Sequence, residues 1–238
     1  MTKMENEHLR KLLKVYENIR KTIVKRLDEF REIGKNASEE QLFAELAFCL
    51  LTPQSKARIC LAAVERLQAN GALYHGDYDA ILSELKGVRF KARKAAYILK
   101  ARALFTKNGE FSIRSVLEKF DDPFQMREWL VMNIKGMGYK EASHFLRNIG
   151  MGSQLAILAD EGARGSAYAA RSQLAILDRH ILKNLKLLGV IHEVPKSLTR
   201  PRYLEIETKM ANFADEIGIP LDHLDLLLWY NETGEVLK

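Results

Sequence analysis

The stretch Lys135-Gly-Met-Gly-Tyr-Lys-Glu-Ala-Ser143 constrains this chain more than any other, because it reverses the backbone between two helices. Two glycines one residue apart let the chain turn sharply and point successive N–H groups outward, an arrangement that holds a phosphate. The helix that begins directly afterwards, over about 139–149, adds unpaired N–H groups and a partial positive charge at its start. Gly136 and Gly138 are therefore candidate phosphate-binding residues, although a plain interhelical turn would use the same two glycines. Lys140 falls in the first turn of the second helix. That field disfavours a charged amine, so Lys140 is expected to be more nucleophilic than an ordinary surface lysine. Asp122-Pro123 supplies an N-cap and a proline at the first position of the helix entering the turn.

Elsewhere the hydrophobic pattern is helical nearly throughout. Leu9, Leu12, Tyr16, Ile19, Ile23, Leu27 and Phe30 recur at helical spacing ahead of Gly34, predicting a helix over 9–33. Ser38-Glu-Glu-Gln41 is a capping box for an apolar helix at 42–51, which Thr52-Pro53 ends. Ser55 can cap the next helix, to about Asn70. Further helices are predicted at about 78–86, 91–107, 112–119, 203–217 and 221–231, with Pro195 and Pro201 marking a linker. Asp178 can cap a helix whose Ile181, Leu182, Leu185 and Leu188 form an apolar stripe. No convincing strand is legible, so the expected fold class is all-α.

With 238 residues the chain can bury one good core or two small ones. It has no apolar run long enough for a bilayer, and its start, MTKMENEHLRKLLK, lacks a signal-peptide apolar region. A soluble, cytoplasmic and nucleoid-associated protein is expected. The net charge of +6 suits a partner with a phosphate backbone, though many basic proteins bind no nucleic acid. Cys49 and Cys60 are too few for an iron–sulfur cluster and read as reduced, buried thiols. No metal site is legible, and no cofactor is expected.

SQLAIL occurs twice, at 153–158 and 172–177, a period of 19 residues. The intervening ADEGARGSAYAAR is poor in large apolar residues, and 153–171 reads as an inserted, partly duplicated loop. After the first copy comes Ala159-Asp160-Glu161-Gly162 with no apolar helix behind it; after the second comes Asp178-Arg-His-Ile-Leu, with one. Asp178 is accordingly the better candidate for a functional carboxylate. The first LAIL could compete for the packing site of the second.

Four segments together resemble the helix-hairpin-helix DNA glycosylases, base-excision repair enzymes that flip a damaged nucleotide out of the duplex. They are LFAELAFCLLTPQSKA at 42–57, REWLVMNIKGMGYKEASHFLRNIG at 127–150, LAILDRHILKNL at 174–185 and LDLLLWYNETGEVLK at 224–238. The family pattern is a hairpin ending in Gly-x-Gly, a lysine two residues on, then an aspartate opening another helix. Within the superfamily the chain is most similar to the type-2 8-oxoguanine DNA glycosylases of archaea and thermophilic bacteria. The lysine-to-aspartate spacing of 38 departs from the pattern, and removing one 19-residue period restores it to 19. The resemblance implies two helical subdomains with the hairpin motif at the cleft between them. The first is a central barrel over 36–148 containing the hairpin at 130–148; the second combines 1–35 with 149–238.

The resemblance also implies roles. Lys140 would be the nucleophile that attacks C1′ and forms a Schiff base, and Asp178 the carboxylate that stabilises the cationic sugar. Taken singly, a first-turn lysine is usually a surface charge and an aspartate before a helix usually only a cap. Arg179 is a candidate for backbone phosphate; His180 and His144 read first as packing residues. Phe48, Trp229 and Tyr230 are candidates to sandwich a flipped base, and Gln54 lies in a loop the family places near DNA. The type-2 group ends in a lysine that helps to discriminate 8-oxoguanine, and this chain ends in Lys238. The implied partner is double-stranded DNA containing 8-oxoguanine, bound by a monomer. The alternatives are a glycosylase for another oxidised base, or a non-catalytic helix-hairpin-helix DNA clamp, which needs the glycines but neither Lys140 nor Asp178.

Overall fold

A computed structural model describes residues 3–152 and 174–236. The expected insertion at 153–171, the first SQLAIL copy and Lys238 lie outside the described residues. The chain divides into two compact units, Met1–Glu32 with Gly150–Lys238, and Ile33–Ile149. The first division falls in the last turn of helix α1 (Lys3–Asn36), which runs past Gly34 rather than ending there.

The 33–149 unit is built round helix α2 (Glu39–Leu51), which is buried at every position from Leu42 to Leu51. A helix apolar on all sides is stable only when other helices surround it. Here α3 (Ala57–Ala69), α6 (Lys91–Phe105), α7 (Ile113–Leu117) and α9 (Tyr139–Asn148) pack against it. Each fully buried Leu or Phe contributes about 1.5–3 kcal/mol. The predicted capping box is formed: the Gln41 N–H donates to Ser38 Oγ at 3.2 Å, and the Ser38 N–H to Gln41 Oε1 at 2.8 Å. Its polar exception, Glu45, is 8% exposed and accepts from Asn148 Nδ2 at 3.2 Å, which ties α2 to α9. The short helices α4 (Ala72–His75) and α5 (Tyr78–Glu84) and helix α8 (Pro123–Asn133) complete the unit.

Two local expectations change. Helix α6 stops at Phe105, and Thr106–Lys107 (β1) pairs antiparallel with Glu110–Phe111 (β2). Asn108 and Gly109 both have positive φ, at 54° and 85°, the geometry of a tight hairpin turn. Ser55 is not the cap of α3; Lys56 holds that position without a side-chain bond. The Ser55 hydroxyl instead accepts from the Arg89 N–H and from Lys94 Nζ, both at 3.0 Å.

The other unit contains most of α1 together with α10 (Arg179–Leu187), α11 (Arg200–Glu216) and α12 (Leu221–Thr233). The second LAIL copy lies in its core: Leu174, Ala175, Ile176 and Leu177 are at most 6% exposed. Being non-helical, this strip needs partners for its backbone, and α11 supplies them. Tyr203 Oη donates to Ala175 O at 2.7 Å and accepts from the Leu177 N–H at 3.3 Å. The Ala175 N–H donates to Glu207 Oε1 at 2.9 Å. The Leu174 N–H also donates to Gly152 O at 3.1 Å. Tyr203→Phe strands two buried backbone groups and should lower unfolding free energy by about 1–3 kcal/mol. Urea denaturation monitored by circular dichroism measures the loss.

Candidate active site

The hairpin between α8 and α9 is pinned from below and open above. Ile134 and Met137 are 3% and 5% exposed, and the Met137 N–H closes the turn onto Ile134 O at 3.2 Å. Between them Lys135 and Gly136 face solvent. Gly136 has φ +91°, and a Cβ there would lie 2.2 Å from the Tyr97 ring, so only glycine fits. Arg127, fully buried, holds the two helices together. Its Nη1 donates to Ser143 Oγ at 3.2 Å, and its guanidinium lies over the rings of Phe124 and Tyr139 at 5.2 and 5.1 Å.

Gly138 is the N-cap of α9, and its N–H is not the open donor that the sequence suggests. The Glu141 carboxylate reaches back to accept it at 3.2 Å. An acidic residue in the first turn of a helix is favoured there, and it competes with phosphate for the same amide.

Lys140 is partly buried, with 21% of its side chain exposed. Its Nζ donates to Thr52 Oγ1 at 3.1 Å and lies 3.3 Å from Glu141 Oε1. Thr52 sits at the C-terminal end of α2 and donates its own hydroxyl hydrogen to Cys49 O at 2.8 Å. The sequence reading missed Thr52, and it missed Lys94, whose ammonium lies under the same turn. A lysine within a helical pattern carries no signal of its own burial. Cys49 is buried close to this site, and desolvation pushes its thiol up to about 12, against the opposing effect of Lys140. It is a packing thiol rather than a nucleophile.

In the other unit, Asp178 caps α10 in extended backbone and accepts from the Ile181 N–H at 2.8 Å through Oδ1. The cap orients the half-buried carboxylate, so capping and a role toward substrate are compatible. Arg179 is exposed on the first turn. The His180 ring meets Trp229 edge-on, with centroids 5.3 Å apart at 89°. The buried Trp229 Nε1 has no hydrogen-bond partner among the described residues. Glu232 accepts from Lys183 Nζ at 2.9 Å and from Asn184 Nδ2 at 3.2 Å. Burial acts to raise its carboxyl, but the bonds from Lys183, Asn184 and His180 prevail and hold it below the usual carboxylate value.

The remaining candidates separate. Gln54 is exposed at φ +56°, a conformation few non-glycine residues adopt. Phe48 is 2% exposed and meets the buried His144 ring edge-on at 5.7 Å, so it packs the core and offers a base no open face. Tyr230 is half-buried.

A family model described as 8-oxoguanine DNA glycosylase matches residues 23–161 and 168–219. The chain belongs to the 8-oxoguanine DNA glycosylase family. The break at 162–167 lies within the 19-residue repeat period. An 8-oxoguanine DNA glycosylase/AP lyase of Fusobacterium nucleatum is 40% identical over 98% of this chain and 99% of that relative. The crystal structure of the 8-oxoguanine DNA glycosylase of Thermotoga maritima has a TM-score of 0.79 at 34% identity, covering 98% of this chain and 100% of that one. That of the Methanocaldococcus jannaschii 8-oxoguanine glycosylase/lyase in complex with a 15mer DNA containing 8-oxoguanine has a TM-score of 0.78 at 36% identity, covering 97% and 99%. The helical fold is the family's.

Gly136→Ala should cost about 1–3 kcal/mol through backbone strain, before the clash with Tyr97 is added. A lowered thermal midpoint with unchanged far-ultraviolet circular dichroism is the expected result. Because the Glu232 carboxyl is lowered, its stabilisation is present above the unfolded-state value and lost as pH falls through the folded one. Glu232→Gln should therefore lower the melting temperature at pH 7, and the difference from the wild type should shrink as pH falls through the lowered Glu232 value.

Proposed function

We propose that this chain excises 8-oxoguanine from duplex DNA and cleaves the resulting strand as an abasic-site lyase. The observation that carries the reading is Lys140: its amine stands at the foot of the solvent-facing Gly136 turn, held by a hydroxyl acceptor. The family's solved structures and the activities of its relatives support the same assignment. The net charge of +6 favours a polyanionic partner.

The chemistry follows from the residue types. The neutral Lys140 amine attacks C1′ of the flipped nucleotide, and the N-glycosidic bond breaks with its electron pair leaving on the base, which takes up a proton. The sugar ring opens to a protonated Schiff base on Nζ. Loss of a C2′ proton then expels the 3′ phosphate by β-elimination. The Asp178 carboxylate stabilises the cationic sugar as the base departs, an effect largest where water is excluded. A capped carboxylate suits this role, because its position is set before substrate arrives.

The Gly136 turn and Arg179 are the proposed phosphate contacts, and Trp229, Gln54 and Lys238 the proposed base-recognition residues. Gly138 contributes its amide if Glu141 releases it. We read 153–171 as an inserted segment accommodated between Gly152 and Leu174, leaving Asp178 in register. No described helix is long and apolar enough to cross a membrane; the proposed setting is the nucleoid, with the chain acting as a monomer.

Borohydride reduces a Schiff base to a stable amine and so traps the covalent complex. A duplex carrying one 8-oxoguanine should be trapped by the wild-type chain and not by Lys140→Gln. Asp178→Asn should still bind the duplex but be trapped about 100-fold more slowly. Binding without trapping, in the presence of all four natural base partners, would instead favour another lesion or a DNA clamp.

A further inference from the structure

Lys94, on α6, is only 4% exposed, yet each N–H direction of its ammonium is used. Nζ donates to Leu51 O and Pro53 O at 2.7 Å each and to Ser55 Oγ at 3.0 Å. These acceptors are the C-terminal end of α2 and the turn that follows it. The last carbonyls of a helix have no partner within it, and a cation at that end is favoured by the helix field. The buried Cys60 thiol adds a bond to Leu51 O at 3.1 Å. The Ser55 N–H folds the turn onto Thr52 O at 3.0 Å, and Gln54 within it is held at φ +56°. Such a backbone conformation persists only where its surroundings impose it.

The turn carries Thr52 toward the hairpin. With its hydroxyl hydrogen committed to Cys49 O, Thr52 Oγ1 presents only lone pairs to Lys140 Nζ. We propose that Lys94 is a positioning residue for Lys140: it locks the 51–55 turn so that Thr52 aims the amine. The inference rests on the reading of Lys140 as the nucleophile. Lys94 itself touches no substrate and transfers no proton. Burial lowers its basicity, with Lys140 and Glu141 among the groups that bear on it, so the two lysines share one electrostatic neighbourhood.

The test is single-turnover borohydride trapping on an 8-oxoguanine duplex by the wild type, Lys140→Gln, Lys94→Met, Thr52→Val and the Lys94→Met/Thr52→Val double variant. Binding is measured separately, by fluorescence anisotropy, on a duplex carrying a reduced abasic analogue. Misplacing a reacting group by about 1 Å costs up to about 100-fold in rate. Lys94→Met and Thr52→Val should each slow trapping by roughly 10- to 100-fold while leaving binding within about threefold. The double variant should be no slower than the worse single one, because both act through one route. Trapping by Lys94→Met at the wild-type rate, or losses that multiply in the double variant, overturns the proposal. Should Lys94→Met fail to fold, Ser55→Ala decides: it removes one of the three acceptors and keeps the charge, and an unchanged trapping rate overturns the proposal equally. No trapping by the wild type, or trapping that survives Lys140→Gln, removes the nucleophile assignment and this inference together. Trapping that Lys140→Gln abolishes but that Lys94→Met leaves at the wild-type rate removes this inference alone.

Discussion

The complete burial of α2 is the constraint on which the 33–149 unit depends. A helix with no solvent face must be enclosed by other helices, and its C-terminal carbonyls then end in a place where water cannot reach them. Lys94 answers that demand with three donors on one atom, and the answer determines the turn beyond the helix. Thr52 and Lys140 follow from that turn, so the requirement to satisfy a buried helix end and the placement of the proposed nucleophile are one structural fact. A buried ammonium is costly to desolvate, and here the carbonyl dipoles of the helix end offset the cost.

The proposed carboxylate is positioned by a different device. Asp178 stands at the end of a non-helical strip that pairs with no strand among the described residues. Tyr203 and Glu207 take the place of a neighbouring strand, binding Ala175 and Leu177 through backbone atoms. Because Leu174 also bonds to Gly152, the strip's register is set on both sides. Additional chain between two such pinned residues costs little more than loop-closure entropy, which grows slowly with length. A lengthened lysine-to-aspartate spacing is then compatible with a carboxylate in its place.

The hairpin shows two demands meeting on one backbone. Gly136 is required by conformation and by the Tyr97 ring, whereas Gly138 serves as a helix cap whose amide Glu141 already occupies. The same first-turn geometry that attracts a phosphate also attracts a carboxylate of the chain itself. Any anion arriving at this helix start must compete with Glu141.

Periodicity and punctuation in the sequence determined the helical fold class, the capping box at Ser38–Gln41, the Asp122-Pro123 helix start and the Asp178 cap, because each depends on residues within one turn of one another. The Gly-x-Gly turn and the lysine two residues later were legible for the same reason, and the resemblance they carry was enough to indicate the family. What tertiary structure alone decided is which polar groups are buried and which partner each finds. Ser55 had the chemistry of a cap, but Lys94, 39 residues away, claimed its oxygen. Phe48 had the chemistry of a stacking platform, but it lies within a helix enclosed on every side. The link from Lys94 through the 51–55 turn and Thr52 to Lys140 carried no local signal, since its bonds join residues 39 to 88 positions apart, and a pattern with the period of a helix holds no information about contacts at that range.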